Sequence, residues 1–304
     1  MKTLEISENW YRQILLPELQ KEFAAELEKM AIGIAGRGSE CFGFDDDISL
    51  DHDVVPGVSI WISSEDDAAF GIALTKFYNA LAKRSFGTAK RGSSAFGESE
   101  RGVMTIASFL RRHLGSDTPP RCWQDWLYTP EYAFAECING RIFKDDSNLF
   151  TSIRENIANG MPEDVRLKKI AARAVMMAQS GQYNVPRCLS RGENGAAAIA
   201  LSEFIRNTVS MVFLLNFSFA PYYKWMFRAM RRLPVLGNIT DDLERSFRLD
   251  DPCDAIENIC QKITDELKNQ GLSDSDDSYL EAHAFSVTAK IRSREIRVLH
   301  IMEG

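Results

Sequence analysis

Residues 31–62 read Ala31-Ile32-Gly33-Ile34-Ala35-Gly36-Arg37-Gly38-Ser39-Glu40-Cys41-Phe42-Gly43-Phe44-Asp45-Asp46-Asp47-Ile48-Ser49-Leu50-Asp51-His52-Asp53-Val54-Val55-Pro56-Gly57-Val58-Ser59-Ile60-Trp61-Ile62. A short apolar run leads into a glycine-rich turn that ends at Gly38-Ser39. Eleven residues intervene before Asp51, His52 and Asp53, and the chain then turns apolar again. Successive side chains of an extended chain point to opposite faces. Asp51 and Asp53 therefore share one face, about 7 Å apart, and His52 takes the other. Two carboxylates at that spacing suit Mg²⁺, with Mn²⁺ as the alternative ion. Glycines let a backbone come close to a phosphate, which the next amides can hold. A turn for triphosphate beside an Asp pair for metal is the minimum equipment for nucleotidyl transfer.

Upstream, residues 7–30 carry Trp10, Ile14, Leu15, Leu19, Phe23 and Leu27 at helical spacing, with Ser7 as the expected cap. A strand is expected over 31–35, a short helical piece from Ser39 toward Phe44 and an acidic loop over 45–49. A second strand runs from Leu50 to Ile62, interrupted at Pro56-Gly57 because proline cannot donate to a ladder. A helix follows over 65–84, a glycine-rich loop over 87–100 and a strand over 102–106. Further expectations are a helix to Leu114, a helix ending at Asn139-Gly140, a strand over 141–144 and a helix over 150–158. The boundary falls between Asn159 and Pro162, dividing the chain into domains 1–160 and 161–304. Beyond it every segment reads as helix: Pro162 to Gly181, a connector over 183–191, Glu193 to Leu215, one from Pro221, one from Pro252 to Gln270 and a last one from Ser275 to Met302. The fold class is α+β, a small mixed sheet flanked by helices followed by a helical bundle.

The chain has 304 residues and a formal net charge of −7, which repels nucleic acid and anionic membranes. Six scattered cysteines form no C-x-x-C pair, so buried thiols in a reducing cytoplasm are expected rather than structural zinc. The first residues hold no apolar signal core. The most apolar stretch, Val209 to Ala220, contains Asn216 and is too short to span a bilayer.

Gly38-Ser39 followed by Asp51-His52-Asp53 resembles the signature of the nucleotidyltransferase superfamily, which includes kanamycin-type, minimal and polymerase-beta-like enzymes. Over nearly its full length the chain is similar to an uncharacterised bacterial family that joins such a domain to a helical half. Gly38 to Asp45, Trp126-Leu127, Asn139 to Phe143, Gln179 to Asn184 and Pro221 to Trp225 carry that likeness. The resemblance implies that Gly38 and Ser39 touch the triphosphate and that Asp51 and Asp53 bind metal. It also implies an acceptor cleft completed by the helical domain, and a third carboxylate from a neighbouring strand that binds metal or takes the acceptor's proton. The strand over 102–106 has no acid, so Glu100 is the preferred candidate, with Glu98, Glu131 and Asp145 as alternatives.

A triphosphate also wants cations beyond the metal. Arg37 adjoins the turn, and Lys90, Arg187, Arg191 and Lys224 are the other candidates. Lys224 lies among Tyr222, Tyr223 and Trp225, whose rings suit a base or an acceptor ring. The expected activity is transfer of a nucleoside monophosphate, AMP from ATP, to a small molecule or protein with release of pyrophosphate. The alternative is a nucleotide-binding regulatory or interaction protein with a degenerate site. Addition of nucleotides to RNA or DNA fits the acidic balance poorly.

Overall fold

The computed structural model describes residues 2–46, 57–87 and 101–304. It divides into two compact units, one of residues 2–121 and 133–160, the other of residues 122–132 and 161–304.

In the first unit, α1 (Thr3–Trp10) passes through a π-helical turn (Tyr11–Leu15) into α2 (Leu16–Glu22). Ser7 does not cap it. The helix starts earlier, where the Glu5 carboxylate accepts from the Lys2 amide and the Asp45 carboxylate from the Thr3 amide. Ser7 is buried inside α1, and its hydroxyl accepts from the Gly57 amide at 3.4 Å. The sheet then begins with β1 (Ala31–Ile34) and β2 (Ser59–Ile62). A helical run follows: α3 (Ser64–Asp66), a π-helical turn and α4 (Ile72–Phe86). Next come β3 (Gly102–Thr105) and α5 (Ile106–Leu114). The sequence's one helix before Asn139 is two, α6 (Trp123–Tyr128) and α7 (Glu131–Ile138), separated at Thr129-Pro130. β4 (Arg141–Asp145) and α8 (Leu149–Asn159) complete the unit.

The sheet is mixed, in the order β3-β2-β1-β4, with β2 and β3 parallel and the other pairs antiparallel. β1 and β2 are buried at every position, which matches their largely apolar sequence. Ile32, Ile60 and Ile62 join the core formed with Trp10, Leu15, Leu74 and Tyr78. Trp61 alternates to the other face, 4.4 Å from Phe150 and 5.6 Å from Phe109 between ring centroids. Each such large apolar side chain contributes roughly 1.5–3 kcal/mol on burial. The Tyr78 hydroxyl donates to the Val58 carbonyl at 2.7 Å and fixes the entry to β2.

The second unit is almost entirely helical. It takes α6 and adds α9 (Glu163–Met177), a π-helical turn (Ala178–Asn184), α10 (Val185–Ser190) and α11 (Asn194–Leu215). After these come α12 (Tyr223–Met230), α13 (Thr240–Ser246), α14 (Cys253–Asn269), α15 (Leu280–Ala289) and α16 (Arg294–Arg297). Helix runs on past Gly181, so residues 183–190 are no connector. Glycine serves packing there: a Cβ on Gly181 would lie 2.3 Å from the Phe204 ring. The wide π turn ends just before Pro186, which has no N–H to continue a regular ladder. The expected last helix is two short ones, broken at residues 290–293. There the Asp164 carboxylate takes the Arg292 and Ser293 amides at 3.0 and 2.8 Å.

By length and composition α11 could cross a membrane, yet 61% of its apolar window is buried within the protein. α9 carries cations that the fold buries. Arg166 donates to the Leu214 carbonyl at 3.2 Å, Lys169 to Leu127 at 3.0 Å, and Lys168 to Leu299 and His300 at 3.0 and 2.7 Å. Leu214 and Leu127 lie at the ends of α11 and α6, where a cation is favoured. Burial holds the Lys168 and Lys169 ammonium groups below their ordinary range.

Two glycines of this unit should respond oppositely to alanine. Gly181→Ala is expected to cost about 1–3 kcal/mol through overpacking against Phe204. Gly195→Ala, in the open first turn of α11, should gain about 0.4–1 kcal/mol. Thermal unfolding of both variants checks the signs; equal responses would mean that the Gly181–Phe204 contact does not set the turn.

Candidate functional site

The glycine turn leaves β1 at Ala35 and closes on the 3₁₀ turn Glu40–Phe42. Gly36 and Gly38 have φ of +108° and +121°, values that L side chains rarely adopt. The turn is clamped from β4's side. The Asn139 side chain accepts from the Gly36 amide at 2.9 Å and donates to the Gly36 carbonyl at 2.7 Å. It thus pairs with that backbone as a neighbouring strand would. The Gly140 amide donates to the Cys41 carbonyl at 2.8 Å. A Cβ on Gly140 would lie 1.9 Å from the Ile34 carbonyl oxygen, so only glycine lets the two segments meet.

Glu40 folds back on the turn. A Cβ on Gly38 would lie 2.4 Å from its carboxylate oxygen. Arg101 holds that carboxylate at 2.6 Å, with both side chains about nine-tenths buried. Burial works against the Arg101 charge, but Cys41 and Glu40 outweigh it and keep the guanidinium above its ordinary range. The position of Glu40 in the first helical turn suggests a dipole partner, whereas the structure makes it half of a buried ion pair. Nothing in the sequence marks Arg101, which lies beside a glycine-rich loop and acts only because β3 aligns beside β2.

Ser39 occupies the cap position of the 3₁₀ turn without making a side-chain cap hydrogen bond. Its carbonyl instead accepts from the amides of Phe42 and Phe44 at 3.1 and 2.9 Å. Arg37 is exposed beside Glu136, its Nε 3.5 Å from a carboxylate oxygen that also lies 2.9 Å from His113 Nδ1. Arg37, Gly38 and Ser39 therefore share one turn, and one edge of it runs through Glu136 to the buried His113.

Asp51, Asp53, His52, Lys90, Glu98 and Glu100 lie outside the described residues. Among the described residues no group of three or more His, Cys, Asp or Glu side chains is placed to hold a metal ion. The two alternative acids are engaged elsewhere. The Glu131 carboxylate accepts from the Ser210 hydroxyl and the Ala220 amide. That of Asp145 accepts from the Thr151 amide at 2.7 Å. Arg187, Arg191 and Lys224 belong to the other unit. Arg187 lies over the Tyr183 ring at 4.6 Å, Arg191 follows the end of α10, and Lys224 is exposed in the first turn of α12.

Removing one member of the buried ion pair strands the other. Arg101→Met is expected to cost about 3–5 kcal/mol, and Arg101→Met with Glu40→Gln less than the two single losses summed. Urea unfolding of the single and double variants tests this. Additive losses would show that Glu40 and Arg101 stabilise the unit independently.

Residues 126–226, about a third of the chain, match the model of a family described as Domain of unknown function (DUF4037). The matched stretch includes Asn139 and Gly140 and ends just after Tyr222 to Trp225. No curated protein and no solved structure matches the chain. A mixed sheet flanked by helices followed by a helical unit is compatible with a nucleotidyltransferase-like architecture and is not specific to it.

Proposed function

We propose that the chain is a metal-dependent nucleotidyltransferase, moving AMP from ATP to a small-molecule or protein acceptor with release of pyrophosphate. The observation that carries this reading is the braced glycine turn. Its backbone takes left-handed φ at Gly36 and Gly38 and is tied to the start of β4 by Asn139 and to the start of β3 by the Glu40–Arg101 pair. In this reading the Gly38 and Ser39 amides and the Ser39 hydroxyl take the β- and γ-phosphates, and Arg37 adds a cation at the rim. Asp51 and Asp53 would hold Mg²⁺, which neutralises the phosphates when bound. An acceptor oxygen attacks the α-phosphorus, the bond from that phosphorus to the bridging oxygen breaks, and pyrophosphate leaves. The acceptor's proton passes to Glu100, the carboxylate just before β3. Lys90, Arg187, Arg191 and Lys224 are assigned to the remaining charge of nucleotide or acceptor. A cytoplasmic setting suits the six unpaired thiols.

One observation favours a second reading, a nucleotide-binding regulatory protein. β3, the parallel neighbour of β2, reads Gly102-Val103-Met104-Thr105 and supplies no carboxylate.

Calorimetric titration with a non-hydrolysable ATP analogue, with and without Mg²⁺, tests the site. Mg²⁺-dependent binding is expected, weakened at least ~10-fold in Asp53→Asn and more mildly in Ser39→Ala. Binding that is metal-independent and unchanged in Asp53→Asn would remove the metal assignment. Release of labelled pyrophosphate from ATP separates the transferase from the regulator.

A further inference from the structure

Tyr132, Tyr222 and Tyr223 form a cluster at the surface of the second unit. They are 41%, 41% and 59% exposed. Tyr132 meets Tyr222 edge-on, with centroids 5.9 Å apart and planes at 77°. Tyr222 and Tyr223 lie 4.4 Å apart at 51°. Three large rings grouped in solvent differ from the scattered apolar side chains that any surface carries.

The cluster rests on a built frame. Glu131, the residue before Tyr132, is buried, and its carboxylate accepts from the Ser210 hydroxyl at 2.8 Å and the Ala220 amide at 3.4 Å. This ties the start of α7 to the segment that delivers Tyr222. Beneath it Trp126 stacks on Phe219 with planes 12° apart. The rings are therefore positioned before any ligand arrives, and tyrosine gives up little conformational freedom on binding.

Charge and hydrogen-bonding capacity point outward as well. Arg206 is paired with Glu203, whereas Lys224 directly follows Tyr222 and Tyr223 in the chain. Arg231 is committed to Asp241 and Glu244. Lys224 is exposed and makes no ion pair among the described residues. The hydroxyls of Tyr132 and Tyr223 likewise make no hydrogen bond among the described residues. In a protein of net charge −7 Lys224 is thus an exposed cation adjoining the tyrosine cluster in the chain.

The geometry points to a binding site on the second unit for a planar aromatic ring that carries a negative charge, stacked on the tyrosines with its anionic group toward Lys224. The site lies within this unit and deepens the proposed assignment of Lys224 to nucleotide or acceptor charge, while Ser39→Ala tests the glycine turn separately. Nucleotides and aryl carboxylates share this chemistry. The full-length protein is titrated by calorimetry in EDTA, which silences metal-dependent binding, with AMP, indole-3-acetate and neutral adenosine. At least one charged probe is expected to bind, with adenosine about ten-fold weaker, and the tighter charged probe identifies the source. Tyr132→Ala and Tyr223→Ala should each weaken the charged probe about ten-fold. Lys224→Glu should abolish its advantage over adenosine without shifting the melting temperature. The site is overturned if neither charged probe binds, if adenosine binds equally well, or if the tyrosine variants match the wild type. Binding lost in Ser39→Ala but kept in the tyrosine variants would also overturn it, and would leave the reading of the glycine turn standing.

Discussion

The first unit depends on two backbones meeting with no side chain between them. β1 and the segment entering β4 approach so closely that a Cβ on Gly33 would lie 2.4 Å from the Arg141 carbonyl oxygen, and one on Gly140 nearer still to that of Ile34. Only glycine permits this contact. Once it forms, Asn139 lies beside Gly36 and pairs with its amide and carbonyl. A residue far along the chain thereby sets the conformation of the turn that leaves β1.

The same device recurs in the second unit. Asn216 ends α11, accepts from the Val235 amide at 3.0 Å and donates to the Val235 carbonyl at 2.9 Å. In both places an irregular segment keeps its buried polar groups satisfied by borrowing a side-chain amide. The buried cations of α9 solve the complementary problem for carbonyls at helix ends. At such pairs, removing one partner costs more than removing both.

The glycine turn combines a rigid frame with a crowded charge pattern. Glu40 and Asp45 are acidic, so a polyanion would meet repulsion unless cations intervene. Arg101 neutralises Glu40 from within, and Arg37 lies at the rim against Glu136. On the proposed reading, most of the cationic charge for a triphosphate would come from a metal ion and from residues outside the turn. That division of labour gives the Asp51–Asp53 pair its weight in the functional reading.

Patterns with a single local cause were legible in the sequence. The apolar runs of β1 and β2, the amphipathic spacing of α4 and α14 and the α+β class follow from periodicity, because burial of one face or of both imposes it. The grouping of Arg37, Gly38 and Ser39 in one turn also followed from spacing. Features that depend on a distant partner were not legible. Ser7 reads as a cap and serves Gly57; Gly181 reads as a stop and makes room for Phe204; nothing local marks Lys168 and Lys169 as buried against carbonyls. Arg101 carried no signal at all. Sequence by itself determined the α+β class and most of the helices and strands, since propensity and periodicity act over a few residues. Tertiary structure decided which polar groups are buried and what each one holds, because that depends on contacts between residues remote in the chain.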